Sequence, residues 1–151
     1  MYTIETQQEL PVNLQDAWDF FSNPNNLKVL TPSEVKMAFK GSPVDKIYEG
    51  QVIRYKISPL FGINVNWATQ IDVVKEGLYF VDTQISGPFK VWHHQHHFES
   101  TGKGTIIKDL VHYQMPLGIL GKVAHPILVK PKLKEIFDFR KRKIEEFFLQ
   151  K

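Results

Sequence analysis

The run Trp92-His93-His94-Gln95-His96-His97-Phe98 holds four of the six histidines in this 151-residue chain. Imidazole is the side chain that exchanges protons near neutral pH, and the commonest metal ligand. This run is therefore the first place to look for chemistry. On a strand, successive side chains point to opposite faces. Trp92, His94, His96 and Phe98 then share one face, and His93, Gln95, His97 and Glu99 share the other. The two large aromatics mark the even positions as inward. In the next alternating run, Ile107, Asp109, Val111 and Tyr113 share a face opposed by Lys108, His112 and Gln114, which turns Asp109 inward. Inward even and inward odd positions meet only in a hairpin whose paired numbers sum to an odd value. A sum of about 205 sets His96 opposite Asp109, His94 opposite Val111 and Trp92 opposite Tyr113.

A carboxylate on the inner face of a sheet is costly unless paired, and an imidazole is a natural partner. Such a pair can fix strand register, orient a ligand oxygen, or serve as acid and base. His94, His96 and Asp109 are accordingly the catalytic candidates. His94-x-His96 also has a spacing that some β-sheet enzymes use for zinc or iron, with Asp109 as a third ligand. No fourth group is evident and the chain has no cysteine, so no metal and no cofactor are expected. Tyr55, Trp67, Trp92 and Tyr113 suit the wall of an apolar cavity, with polar tips that meet a ligand. Gly102-x-Gly104 reads as a hairpin turn rather than a phosphate loop, and no G-x-S-x-G elbow of a serine hydrolase occurs.

The elements that must carry these residues follow from the apolar period. Residues 2–10 alternate as a strand and Pro11 ends it. Asn13 caps a helix whose stripe is Leu14, Ala17, Trp18 and Phe21, with Asp16 in its first turn. Asn23-Pro24 stops that helix, and Asn25–Leu30 has room for one more short helix. From Glu34 to Met115 the period is two. The longest alternation is Ile63, Val65, Trp67, Thr69, Ile71 and Val73, and turns fall at Lys75–Gly77, Gly87-Pro88 and Thr101–Gly104. Loops this short imply antiparallel hairpins. Gly118, Gly121, Pro126 and Pro131 are expected to break residues 116–131 into loop or short helical pieces. From Lys132 a helix of about 18 residues follows, with the stripe Leu133, Ile136, Phe137, Arg140, Ile144, Phe147 and Phe148.

The apolar content of 42% and charged content of 23% are those of a globular chain, here read as one domain over residues 1–151. The net charge of +3 is too mild to imply nucleic acid as a partner. Residues 122–151 hold nine Lys/Arg and four Asp/Glu, so the positive charge lies in the tail. Arg140-Lys141-Arg142-Lys143 points in four directions on a helix and reads as a solvated face, with weak contact to an anionic surface as the alternative. No stretch is apolar enough to insert stably in a bilayer, and the opening residues do not read as a signal peptide, so a cytoplasmic protein is expected.

Three blocks of the chain resemble the START-like (SRPBCC) superfamily of helix-grip, hydrophobic-ligand-binding proteins. They are Pro11 to Trp18 and Phe21 with Asn23-Pro24-x-x-Leu27 and Thr31-Pro32; Gln84-x-x-Gly87-Pro88-Phe89-x-x-Trp92-x-His94-x-His96-x-Phe98; and Gly104-Thr105-x-x-x-Asp109-x-Val111-x-Tyr113-x-x-Pro116-x-Gly118. The second and third are similar to a bacterial subgroup found alone or fused to epimerase-like domains. The resemblance implies an α+β helix-grip fold of order β-α-α-β6-α, a seven-stranded antiparallel sheet wrapped around a long C-terminal helix. It also implies a cavity lined by Trp67, Trp92, His94, His96, Asp109, Tyr113, Ile136 and Phe137. Phe80, Asp82 and Gln84 look inward in that subgroup, provided that the loop at Gly87-Pro88 has an odd length; Asp82 would then partner His94. The function so implied is binding or transport of a lipid-, quinone- or polyketide-like small molecule. The alternative is a cyclase, dehydratase or isomerase that uses the His–Asp pair.

Overall fold

The computed structural model describes residues 1–150. β1 (Tyr2–Leu10) leads past Pro11 into α1 (Leu14–Phe21). The Asn13 side-chain oxygen accepts the backbone N–H of Asp16 at 2.8 Å, the cap read from the sequence. Single 3-10 turns at Pro24–Leu27 and Ser33–Val35 and a two-residue β2 (Ala38–Phe39) complete the first third. β3 (Val52–Ile57), β4 (Val65–Lys75), β5 (Tyr79–Ser86), β6 (Val91–Ser100) and β7 (Thr105–Gln114) follow as hairpins. The seven strands form one antiparallel sheet in the order β1-β7-β6-β5-β4-β3-β2, with β1 closing onto the last strand.

Register is what places the site. β6 and β7 pair Trp92 with Tyr113, His94 with Val111 and His96 with Asp109, the suggested register of sum 205, which satisfies the parity constraint. β5 and β6 pair Phe80 with His96 and Asp82 with His94; the last pair is Thr83 with His93, which leaves nine residues between them. That odd number turns Phe80 and Asp82 to the inner face. Gln84 serves the loop itself: its Nε2 donates to the Phe89 carbonyl at 2.7 Å, and its Oε1 accepts the Phe89 N–H at 3.2 Å. β4 begins at Val65, two residues later than the alternation predicts. Phe61 and Gly62 are left-handed and keep Ile63 in the exposed reversal before the strand.

The C-terminal segment departs from the expected interruption. α2 (Gly118–Ala124), a π-helical turn (His125–Val129) and α3 (Lys130–Leu149) run on without a break. Pro126 and Pro131 fall at the two edges of the π turn, where the hydrogen-bond register shifts and a missing N–H is tolerated. Gly121 is required by proximity rather than flexibility, because a Cβ there would lie 2.0 Å from the Pro116 carbonyl oxygen.

The inner face of the sheet and the stripe of α3 meet in two apolar clusters. One holds Trp18, Phe20, Phe80, Phe98, Ile107, Ile144 and Phe148; the other holds Trp67, Trp92, Val111, Tyr113, Leu133 and Phe137. Along β6, β7 and α3 alike, the polar residues His94, His96, Asp109 and Arg140 sit between members of the two clusters. A polar belt thus crosses an otherwise greasy interior.

Gly121→Ala separates propensity from packing. Propensity alone favours Ala over Gly in a helix by about 1 kcal/mol. The contact with Pro116 instead predicts a net loss of about 2 kcal/mol in denaturant unfolding; a stabilised variant would contradict the close approach.

Candidate functional site

Four ionisable side chains from three strands converge in the belt. His94 Nε2 lies 2.9 Å from Asp109 Oδ1, and His96 Nδ1 lies 3.0 Å from the same oxygen. On the other side, His96 Nε2 lies 2.7 Å from Asp82 Oδ2, while His94 Nδ1 is 3.8 Å from it. The two imidazoles lie with centroids 3.7 Å apart, tilted by 32°, and the Phe80 ring stacks on His96 at 4.1 Å. Thr69 Oγ1 donates to Asp82 Oδ1 at 3.1 Å. α3 adds Arg140, whose Nη2 is 3.5 Å from Asp109 Oδ1 and whose side chain is only 12% exposed.

Burial disfavours each charged form, and the partners decide which charges persist. Burial pushes the Asp109 carboxyl up, but Arg140 and the two imidazoles outweigh it and hold that carboxyl well below the usual range. Burial likewise opposes ionisation of Asp82, and the bond from His96 and the field of His94 keep it lowered. At His96 burial is overcome by hydrogen bonds to Asp109 and Asp82, so its proton is held more tightly than in a free imidazole. At His94 burial and the neighbouring His96 charge act together and loosen the proton. Near neutral pH these directions favour ionised Asp82 and Asp109, a protonated His96 and a neutral His94, beside the Arg140 guanidinium. His94 then donates through Nε2 to Asp109 and keeps a lone pair on Nδ1.

This belt borders a cavity of about 190 Å³ between α3, α1, the 3-10 turns and β3 to β6. Tyr55, Trp67, Asp82, Trp92, His94, His96, Ile136 and Phe137 are on its wall, among mostly apolar neighbours such as Ile53, Ile71 and Leu133. Two residues named from the sequence lie elsewhere. Asp109 stands behind the histidines and touches only a small crevice shared with Thr6, Gln8 and Arg140. Tyr113 turns to the C-terminal segment, where its hydroxyl meets His125 Nε2 at 2.6 Å and Tyr2 stacks on that imidazole. The sequence suggests Asp109 as the third metal ligand; in the structure Asp82 groups with His94 and His96 so that one ligand atom from each lies within 4.8 Å of the others, while Asp109 bonds the opposite nitrogens of the two rings.

Arg140 is the site residue that sequence reasoning missed, since it registered only as an interruption of an apolar stripe and as part of a solvated basic run. The signal was present, because a carboxylate placed inward at Asp109 calls for a cation on the element that covers it. Two polar hydrogens on the cavity-lining residues, Trp67 Nε1–H and Arg140 Nε–H, are buried with no hydrogen-bond partner.

Solved structures of similar shape span the chain end to end. A protein of Thermus thermophilus superposes with a TM-score of 0.74 at 17% identity, over 99% of this chain and 98% of that one. A START superfamily protein from Mycobacterium smegmatis gives 0.73 at 13% identity, over 99% of both chains. Ginseng major latex-like protein 151 from Panax ginseng gives 0.69 at 14%, over 98% and 97%. No protein-family model and no curated protein matches the sequence. The fold is therefore the START-like helix-grip fold, α+β with a seven-stranded antiparallel sheet and a long C-terminal helix.

The charge assignment is checked by NMR titration of the imidazole resonances in chelator-treated protein. His96 is expected to lose its proton at higher pH than a free imidazole and His94 at lower pH. Asp109→Asn removes one of the two carboxylates facing His96 and lowers its titration; equal titration of the two rings in the native protein would refute the assignment.

Proposed function

We propose that this protein binds a hydrophobic small molecule with a ring-sized polar head, of quinone, polyketide or lipid type, in the cavity beside the belt. The observation that carries the reading is the pairing of apolar walls with two unpartnered donors, Trp67 Nε1–H and Arg140 Nε–H, on lining residues. A buried N–H without a partner is destabilising by about 1–3 kcal/mol, and a ligand carbonyl or carboxylate oxygen that reached either group would relieve that penalty. The volume of about 190 Å³ somewhat exceeds the roughly 150 Å³ that admits benzene. It suits a ring head, with any long tail left outside. The START-like fold of the neighbours supports the same reading, as does the position of the polar belt along one wall.

Titration with menadione or decylubiquinone, read by quenching of tryptophan fluorescence, is expected to saturate at one equivalent. Trp67→Phe keeps the wall apolar but removes one donor, so affinity falls about fivefold, the worth of one hydrogen bond. Absence of saturable binding, together with native mass spectra free of any co-purified apolar ligand, would overturn the reading.

Neutral His94, oriented by Asp109 and with its Nδ1 lone pair available, also favours an enzymatic reading. In it His94 takes a proton from a bound polyketide-like substrate in a cyclisation, dehydration or isomerisation, and protonated His96 serves as the acid. His94→Gln then abolishes turnover while quinone affinity persists.

A contact with anionic membrane surfaces finds support in a segment other than the Arg140–Lys143 run, of which Arg140 faces inward while Lys141 and Arg142 are exposed. Leu117, Ile119, Leu120, Val123 and Ile127 are exposed by 59–78%. No Asp or Glu occurs from residue 110 to 134, where Lys122, Lys130, Lys132 and Lys134 lie. The pairings of Ile57 with Val65 and of Val91 with Gln114 put the Phe61 reversal at the same end of the sheet. An apolar patch on a segment that also carries Lys122 and Lys130 suits the headgroup region of an anionic bilayer, and no helix of the described residues is long and apolar enough to cross one. Co-sedimentation with phosphatidylcholine vesicles is expected only when phosphatidylglycerol is included, and Leu120→Asp/Val123→Asp abolishes it. Equal sedimentation with neutral vesicles, or none with either, would contradict the contact.

A further inference from the structure

We infer that Asp82, His94 and His96 form a binding site for a single divalent first-row transition ion, open toward the apolar cavity. The inference rests on which nitrogen of each ring is already used. Asp109 Oδ1 takes His94 Nε2 at 2.9 Å and His96 Nδ1 at 3.0 Å. One oxygen thus anchors both rings by their far sides. The remaining nitrogens, His94 Nδ1 and His96 Nε2, both turn to Asp82 Oδ2, at 3.8 and 2.7 Å. Two histidines and one carboxylate with convergent lone pairs form a nitrogen–oxygen donor set suited to Zn²⁺, Fe²⁺ or Co²⁺ rather than to Mg²⁺ or Ca²⁺.

The surroundings have the form that such sites take. Metal-bound histidines almost always donate their second N–H to a carboxylate, which fixes tautomer and orientation; Asp109 does this for both rings. Thr69 donates to Asp82 Oδ1 at 3.1 Å and leaves Oδ2 as the inward atom. Arg140 approaches the cluster from the Asp109 side, and its charge offsets Asp109 rather than Asp82. His94 and His96 are buried, and the strands that carry all three ligands are the central, fully paired part of the sheet, so the ligands are preorganised. The ion replaces the proton shared by His96 Nε2 and Asp82 and releases it to solvent. Three protein ligands leave coordination positions for an oxygen donor from the cavity, so the occupant class is water or a ligand bearing an enol, carboxylate or quinone-type oxygen. The site stands whether or not the menadione titration succeeds, because it rests on the donor geometry of Asp82, His94 and His96 and is read by Co²⁺ alone.

The test uses the full chain, treated with chelator, desalted and titrated with Co²⁺. One equivalent is expected to bind with visible ligand-field bands of a nitrogen–oxygen site, and Zn²⁺ displaces it. Asp82→Asn, nearly isosteric and able to fold where histidine variants fail, weakens Co²⁺ binding at least ~10-fold, and Asp109→Asn weakens it by roughly 10- to 100-fold. His93→Asn/His97→Asn, on the outer face, leaves it unchanged. A folded native protein that binds no Co²⁺ or Zn²⁺ would overturn the site. So would binding that survives Asp82→Asn and disappears with His93→Asn/His97→Asn, which marks adventitious surface histidines.

Discussion

The structure depends on how one buried carboxylate is neutralised. Asp109 sits at the centre of β7, 7% exposed, between Ile107 and Val111. An isolated charge there would be untenable. Its partners come from two directions: imidazoles from the adjacent strand and a guanidinium from the covering helix. The first contact is compatible with only one β6–β7 register, and the second with one sliding position of α3 along the sheet. Gln8 supports that position by donating to the Lys141 carbonyl and the Glu145 carboxylate at 3.1 Å each. Apolar packing of Leu133, Phe137, Ile144 and Phe148 supplies most of the adhesion of the helix, but apolar contacts are not directional. The ionic belt adds the directionality.

The same arrangement makes the cavity chemically useful. Because Asp109 lies behind the histidines, the cavity sees it only through them: a protonated His96 and a neutral His94 whose far nitrogen is pinned. Asp82 stands in front, close enough to accept from His96 and held by Thr69. A wall with an anion in front, two rings in the middle and an anion behind can hold a proton, exchange it for a divalent cation, or orient a ligand oxygen. The two apolar clusters on either side exclude water and strengthen each of these interactions.

Much of this was legible in the residues, and the reasons differ from part to part. Strand parity is a hard constraint, so Trp92, His94, His96 and Phe98 against Ile107, Asp109, Val111 and Tyr113 fixed the faces and restricted the register to odd sums, of which the suggested 205 is the one observed. The role of Asp82 depended on a loop length that local sequence does not set, because the Gln84 side chain ties up Phe89 and makes the loop long. The continuity of residues 118–149 was hidden by prolines and glycines whose breaking power depends on context; a π turn accommodates Pro126, and Gly121 is there for a neighbour. Whether an aromatic lines a cavity or closes it is a matter of side-chain direction, which separates Trp92 from Tyr113 although both lie on the inner face. Arg140 was visible only once helix and sheet were considered together.

The most direct test of the account is a double-mutant cycle on the bond between sheet and helix: Asp109→Asn, Arg140→Met and the double variant, each followed by denaturant unfolding. If the buried carboxylate and guanidinium neutralise one another, each single change leaves an uncompensated group, and the double variant loses less than the two losses combined, with a coupling of about 2 kcal/mol. Losses that simply add, within about 0.5 kcal/mol, would show that the two charges do not stabilise each other and would contradict the belt as the constraint that holds helix and sheet in place.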